Sequence, residues 1–491
     1  MTLSFATLID VEDPSDRRWS PRDSALWASW SLVMLLLVRS HEMWRDELQS
    51  LAIARASTWP WDLIANTDYE GHPPGWHLLL WFPAQLTRSP GAAHLIGFAC
   101  VSAAGWLVIR YLPFTLPVRG LLLFGYFPLF EMGVITRSYS LLFLLVVAAL
   151  VLADRRPLPV IPLTIVLVAM SWTLVTAIPL AAAIAISTVM RHTQTPRQRF
   201  IEAGAVLGAL TLLSLKIAQP PWSGPGKFAG GLQGINTSSS VFTSPLRVVA
   251  PWFERNVAFW GDFSSSRLDS REALLGVLVL LLITIVLLRC PPAVLVWLVG
   301  TVGLLWGLNS SSLRIEPRHL TVLWLTLVAA IWIAASESVS KRATVKPTTA
   351  DPTFCSIVWR ALDPWISPGL LRALGVVALF IAVAGVWWPA TTELREPFSG
   401  AEEAADWVRA NSDSDLAVFC ASEAPACSSV AIRLDVPAYT TSSGNPFTFV
   451  VWNGRWRQRV APEVVESSAR KLQARLGQRV VVVAHAYDYP P

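Results

Sequence analysis

Long apolar segments separated by short polar ones run through the chain as far as residue 389. A membrane-spanning helix needs about twenty predominantly apolar residues, and about eleven segments approach this length. They lie at 22–40, 92–110, 119–136, 138–153, 158–172, 173–190, 202–218, 273–289, 292–308, 320–336 and 371–389. The pattern therefore predicts a polytopic α-helical membrane protein with about eleven transmembrane helices.

Basic residues predict the orientation of these helices. Lys and Arg are enriched in cytoplasmic loops, and the basic clusters share one side only if the segment 74–86 does not cross the bilayer. That segment is short, follows a Pro pair and contains Trp76, His77 and Trp81. We therefore expect it to form a helix lying in the membrane interface, which makes the N-terminus cytoplasmic and the C-terminus external.

Three segments are external in this topology. The first external loop is 41–91, the large external loop is 219–271, and the tail is 390–491. The large loop is rich in Gly, Ser and Pro, which predicts a mobile segment able to close over a substrate. Residues 1–389 thus form a transmembrane module with two external loops.

The tail has a different pattern from the rest of the chain. Its residues 401–409 have helical spacing, whereas 416–419 and 480–483 are strand-like runs. We predict a small external α/β domain. Cys420 and Cys427 lie close together in this domain, where an oxidising compartment would permit a disulfide, but spacing leaves their pairing open.

Composition supports the membrane assignment and narrows the function. The chain is 53% hydrophobic and only 15% charged, well below the charged fraction of soluble domains. Its net charge of +5 is explained by topology, so we expect no nucleic-acid partner. An Arg-, Ala- and Trp-rich chain with few Lys is typical of a bacterium with high genomic GC content. We therefore predict an integral protein of the bacterial inner (plasma) membrane, with its C-terminal domain in the periplasm or its equivalent.

The first external loop contains acidic residues directly after a predicted span. Asp46 and Glu47 are adjacent, and Glu70 and His72 precede a Pro pair. Ionised side chains are costly at the edge of hydrocarbon without a partner or a function, so these residues predict a catalytic site facing water. The alternative is structural: early carboxylates also stabilise a helix N-terminus, and Glu70 with His72 can stabilise a turn.

Two further motifs lie at the outer ends of predicted spans. Arg137 and Tyr139 open one span, and Arg318 and His319 open a later one. Guanidinium groups bind two phosphate oxygens at once and keep their charge, which favours a phosphate site. Arg137 can instead be a snorkelling anchor. Carboxylates together with phosphate-binding cations are the groups that glycosyl transfer requires.

These motifs, in this order, resemble those of the GT-C glycosyltransferases. The chain has Asp-Glu in the first external loop, then His-Pro-Pro, then Arg137-Ser138-Tyr139, then Pro-Arg-His-Leu at 317–320. It is most similar to the branch of protein O-mannosyltransferases and aminoarabinose transferases, where Pro is common at the position of Ser138 and Tyr at that of His319. The resemblance covers about residues 25–335 and does not extend to the tail.

The resemblance implies a sugar donor linked to polyprenyl phosphate and a glycan, lipid or protein acceptor at the external face of the membrane. It implies hexosyl or pentosyl transfer with inversion, and Asp46 as the general base. The roles of the other site residues follow the same pattern. Glu47, the second catalytic residue, would position the acceptor or a divalent metal ion together with Glu70 and His72. Arg137, Tyr139, Arg318 and His319 would bind the donor phosphate.

A transporter or flippase of envelope lipids or polysaccharides is the alternative from another functional class. Such proteins are also polytopic, but they commonly contain internal repeats and helices broken near the bilayer midplane. The sequence shows no such repeat, and its polar residues collect at one face of the membrane. We therefore favour the enzyme.

Overall fold

The structure is a computed structural model. It describes residues 11–12, 14, 17–68, 70, 72–192, 239–251, 270–310, 317–343, 368–412, 415–421, 424–441, 445–451 and 460–484. The predicted span at 202–218 lies outside these ranges.

Helices account for nearly all of the regular structure before residue 400. Their bounds are α1 (Pro21–Ser40), α2 (Arg45–Ala56), α3 (Asp62–Asn66), α4 (Gly75–Leu86), α5 (Gly91–Tyr111), α6 (Leu116–Leu123), α7 (Ser138–Ala153), α8 (Val160–Thr173), α9 (Ile178–Arg191), α10 (Ser239–Val249), α11 (Ser270–Leu287), α12 (Pro291–Ser310), α13 (Pro317–Ala343) and α14 (Pro368–Glu393). A π-helical turn covers Phe127–Glu131 and a 3₁₀ turn covers Val175–Ala177.

The apolar helices identify a membrane-embedded helical protein. Among the described helices, five are long and apolar enough to cross a bilayer. They are Gly91–Tyr111, Ser270–Leu287, Pro291–Leu308, Arg318–Val339 and Arg372–Glu393. Shorter apolar helices cover Ser138–Ala153, Val160–Thr173 and Val175–Arg191. The total of about eleven spans stays a prediction.

Two sequence predictions differ from the structure. The predicted span 119–136 is not one helix: α6 ends at Leu123, and a π-helical turn follows at Phe127–Glu131. Pro128 within this turn has no backbone N–H and interrupts the helical hydrogen bonds. The large external loop also contains an ordered element, because α10 lies inside it.

The segment predicted to lie in the interface is a separate short helix. Helix α4 has 12 residues, a length of about 18 Å, which is too short to cross about 30 Å of hydrocarbon. It buries Trp76 and Leu80 against α2 and exposes Leu78 and Phe82. Its two faces therefore fit the predicted amphipathic helix.

Helix α1 begins at a capping box and packs closely on α5. The Ser20 hydroxyl accepts a hydrogen bond from the Asp23 N–H, and the Asp23 carboxylate accepts one from the Ser20 N–H. Further along, the fully buried Trp30 ring lies directly over Gly105 of α5, where a Cβ would come within 2.1 Å of the ring. The absence of a side chain at Gly105 lets the two helices approach.

Helices α7 and α13 pack together with their N-termini at the same end. At their C-terminal ends, the Asp154 carboxylate accepts hydrogen bonds from Trp332 Nε1 at 2.8 Å and Ser336 Oγ at 2.7 Å. Arg191 connects Asp154 to Glu337, at 2.5 and 3.0 Å. These bonds hold the two helices together near their C-terminal ends. At the opposite end, Arg137, which immediately precedes α7, lies close to Arg318 in the first turn of α13.

The tail is a small α/β domain, as predicted. Its elements are α15 (Ala401–Asn411), β1 (Leu416–Cys420), α16 (Ala424–Leu434), β2 (Ala438–Thr440), α17 (Pro462–Leu476) and β3 (Arg479–Val483). The three strands form a parallel sheet of order β2-β1-β3, in which Val418 pairs with Ala438 and with Val481. Cys420 and Cys427 form a disulfide with a Cα–Cα separation of 5.5 Å.

Candidate active site

The first turn of α2 carries the acidic pair and separates its two members. Trp44 precedes the helix in an extended conformation, and its N–H donates to Glu47 Oε2 at 3.1 Å. This bond closes the first turn and directs Glu47 inward. Successive helical residues point about 100° apart, so Asp46 faces a different direction from Glu47.

Asp46 meets the two arginines that the sequence analysis selected. Its Oδ2 lies 3.2 Å from Arg137 Nη1 and 3.7 Å from Arg318 Nη1. Arg137 is the residue immediately before α7, and Arg318 lies in the first turn of α13. Three helix N-termini from distant parts of the chain therefore bring one carboxylate and two guanidinium groups together.

These groups are accessible to a ligand. The Asp46 side chain is 22% exposed, and those of Arg137 and Arg318 are 12% and 18% exposed. Arg45 adds a third guanidinium, 3.4 Å from Asp46 Oδ1. Three cationic groups around one carboxylate leave a net positive site, and the partial positive charges of the helix N-termini add to it. The site therefore suits an anion.

The Trp44 indole ring makes cation–π contacts with all three guanidinium groups. The guanidinium carbons of Arg45, Arg137 and Arg318 lie 5.2, 5.9 and 5.5 Å from its ring centroid. Contacts of this kind orient guanidinium planes and contribute roughly 0.5–2 kcal/mol each. Trp44 thus holds the cations in place without neutralising them.

The remaining predicted donor-binding residues lie at the same place. The Tyr139 ring is buried, 5.8 Å from the Arg137 guanidinium carbon. His319 follows Arg318 and has Arg137, His72 and Asp46 among its electrostatic neighbours. The structure therefore gathers all of the residues predicted to bind the donor phosphate, together with His72.

Glu47 does not share this site. Its carboxylate is buried, and it accepts hydrogen bonds from the Thr136 N–H at 2.6 Å and from the Trp44 N–H at 3.1 Å. Its Oε2 also lies 3.0 Å from His41 Nε2. The catalytic role predicted for Glu47 stays a prediction, but the structure places its carboxylate among groups that pack α2 and not beside Arg137 and Arg318.

His41 joins Glu47 to a distant carboxylate. Its Nδ1 lies 3.0 Å from Oε1 of Glu393, at the end of α14. Burial by itself would lower the pKa of His41, but the charges and hydrogen bonds of Glu47 and Glu393 raise it to about 10. No role for His41 was predicted from the sequence, although its position next to the acidic motif could have indicated a contact with Glu47.

Glu70 contacts α2 through Gln49, on the side of the helix away from Glu47. Its Oε2 accepts a hydrogen bond from Gln49 Nε2 at 3.1 Å. In the described part of the chain, Glu70 and His72 belong to no group of three residues able to hold a metal ion. The structure therefore gives no geometric support to a metal ion at these two residues.

The tail domain contacts both α2, the helix that carries Asp46, and the residues just before this helix. The Gln49 amide pairs with the backbone of Val450, donating to its carbonyl at 2.7 Å and accepting from its N–H at 3.0 Å. Arg433 donates to the Met43 carbonyl at 3.0 Å and lies 3.6 Å from Glu42. Both contacts flank Asp46 in sequence, so the tail domain takes part in positioning α2.

Comparison with protein-family models finds no match for this chain, and comparisons with curated proteins and with solved structures find none either. The function must therefore be argued from the geometry of the site.

Proposed function

We propose that this protein is a membrane glycosyltransferase that transfers a sugar from a polyprenyl-phosphate donor to an acceptor hydroxyl at the external face of a bacterial inner membrane. One observation carries the proposal: Asp46, Arg137 and Arg318 meet in a partly exposed site at three helix N-termini. The site joins a proton acceptor to a binding site for phosphate. Direct displacement at a phosphate-activated sugar requires both.

The proposed reaction uses each group once. The acceptor oxygen attacks the anomeric carbon while its proton passes to Asp46. The bond between the anomeric carbon and the phosphate oxygen breaks, and polyprenyl phosphate leaves with its electron pair. Arg137 and Arg318 stabilise the negative charge that grows on this phosphate. Attack from the face opposite the leaving group inverts the anomeric configuration.

The arrangement of the ion pairs suits this sequence of events. Both arginines approach the same oxygen of Asp46, and neither distance is as short as the 2.7–2.9 Å of a close charged hydrogen bond. A guanidinium has five N–H donors, so it can contact a carboxylate and a phosphate together.

A direct test uses the purified full-length protein in lipid nanodiscs with a panel of polyprenyl-phosphate sugars. We expect release of polyprenyl phosphate and appearance of a glycosylated acceptor, measured by mass spectrometry, with one donor preferred. Envelope glycans from a deletion strain would identify the product. Movement of polyprenyl-phosphate sugars across proteoliposome membranes without release of polyprenyl phosphate would instead establish the transporter.

Substituting the arginines tests the phosphate site. Arg137→Ala or Arg318→Ala should weaken binding of a polyprenyl phosphate about tenfold to a hundredfold and lower kcat as well, because each removes a charged hydrogen bond. Arg470→Ala is the matched control, since its exposed pair with Glu466 lies on the tail domain. Equal affinity in all three variants and the wild type would rule out a phosphate site at Asp46.

Cysteine labelling tests the proposed orientation. In intact cells that carry Glu466→Cys, a membrane-impermeant maleimide should label this exposed position of the tail domain, whereas Cys420 and Cys427 are themselves buried. Cys355 lies in a segment predicted to be cytoplasmic and should react only after permeabilisation. Cys100 and Cys290 are buried as well and should contribute little signal. The reverse pattern would place the tail domain in the cytoplasm.

A further inference from the structure

A second cluster of chemically capable side chains lies behind Asp46, on the buried side of α2. It consists of His41 just after α1, Glu47 in the first turn of α2 and His94 in the first turn of α5. One ligand atom from each, all imidazole nitrogens or carboxylate oxygens, lies within 4.8 Å of the others. The rings of His41 and His94 are 5.7 Å apart.

Two imidazoles and one carboxylate are a ligand set that Zn²⁺ and similar divalent ions prefer. With metal–ligand bonds of 2.0–2.2 Å, tetrahedral ligands lie about 3.4 Å from one another. His41 Nε2 and Glu47 Oε2 are already 3.0 Å apart. Small side-chain rotations that bring His94 closer would complete the three contacts.

The surroundings of the cluster resemble the outer shell of a metal centre. His41 Nδ1 faces Glu393 Oε1 at 3.0 Å, which directs the Nε2 lone pair of a neutral His41 towards Glu47. The backbone N–H groups of Thr136 and Trp44 hold the Glu47 carboxylate. Metal-binding histidines characteristically donate their second N–H to such a carboxylate.

His94 supplies an independent observation. Its Nε2 is buried and has no hydrogen-bond partner among the residues that the structure describes. A buried polar atom without a partner is energetically unfavourable, and a metal ion would satisfy it.

We propose that His41, Glu47 and His94 bind one divalent transition-metal ion, of which Zn²⁺ fits best. The ion would fasten the start of α2 to α1 and α5, with Glu393 orienting His41. Its role is structural, because His41 and Glu47 are fully buried and Asp46 faces away from them. The proposal does not depend on glycosyl transfer, since binding and stability are measured without a substrate.

The test begins with metal content. Full-length protein purified in detergent through a tag without histidines should contain about one equivalent of Zn²⁺ by mass spectrometry. After chelation, Zn²⁺ titrated against a chromophoric chelator should bind at one saturable site and raise the midpoint of thermal unfolding. Co²⁺ in its place should give the visible absorption of a low-coordinate N/O site. Protein without metal that also shows no saturable Zn²⁺ binding would overturn the proposal.

Two conservative variants locate the ion. His94→Gln removes a ligand atom that has no hydrogen-bond partner in the described structure, so the metal-free fold should survive while affinity falls about a hundredfold or more. Glu393→Gln should weaken binding about tenfold to a hundredfold through His41. His192→Gln is the control, since its ring contacts Arg156 and the Ala153 carbonyl instead. Unchanged affinity in His94→Gln would disprove this ligand set.

Discussion

Asp46→Asn should lower the rate of sugar transfer by a factor on the order of a hundred or more while leaving the protein folded. The amide preserves the size of the side chain but does not accept a proton at neutral pH. Its ion pairs with Arg137 and Arg318 are partly exposed, so their loss should change stability by only about 1 kcal/mol. Donor binding should persist, because both arginines remain.

The measurement is single-turnover transfer by purified Asp46→Asn protein at saturating donor, with thermal unfolding measured on the same sample. Glu403→Gln, an exposed change in the first turn of α15, serves as the control for loss of a carboxylate. Transfer by Asp46→Asn within a few fold of the wild-type rate would exclude Asp46 as the base. Glu70 would then be the next carboxylate to test.

Glu47→Gln should have the opposite effect and destabilise the fold by about 3–5 kcal/mol. The neutral amide removes the charge with which Glu47 holds His41, directly or through a shared metal ion, and leaves His41 with Glu393 alone. The amide must also direct its NH₂ group at a backbone donor, because Glu47 accepts from both Thr136 and Trp44. Thermal or denaturant unfolding of Glu47→Gln in detergent would measure this loss.

The comparison of these two adjacent variants distinguishes a catalytic from a structural carboxylate. We expect a folded but inactive Asp46→Asn and an unstable Glu47→Gln whose surviving folded fraction still binds polyprenyl phosphate. If Glu47→Gln were as stable as the wild type, the buried network around His41 would not hold α2 in place. Equal loss of transfer in both, with no loss of stability, would restore the prediction that Glu47 is catalytic.

The sequence alone predicted the residues of the site because charged side chains at the edge of a membrane are energetically unfavourable and are rarely found there without a partner or a function. Asp46, Arg137 and Arg318 are ionised groups at the ends of apolar segments. The charge pattern also placed Arg137 and Arg318 at one end of their helices and Asp154 at the other. The structure confirms this arrangement, whereas the side of the membrane and the resemblance to GT-C enzymes stay predictions.

The different directions of Asp46 and Glu47 were harder to predict. Both are acidic, adjacent and in the first turn of a helix, so composition and spacing do not separate them. The separation depends on which packed neighbours surround each side of α2, and those neighbours come from residue 94, residues 136–137 and residue 393. Contacts between residues so far apart in sequence leave no local signal.

In the tail domain, too, the sequence predicted some elements, whereas only the structure shows the contacts between distant residues. Helical spacing predicted α15, and strand-like runs predicted β1 and β3, whereas α16, β2 and α17 were not predicted. No pattern showed that Gln49 pairs with Val450, or that Arg433 reaches Met43. Local patterns thus predicted most of the apolar helices and the membrane setting, and the charged residues at helix ends indicated the candidate site. Tertiary packing decided which of them meet, because burial and hydrogen bonding depend on neighbours that the chain brings together only when it folds.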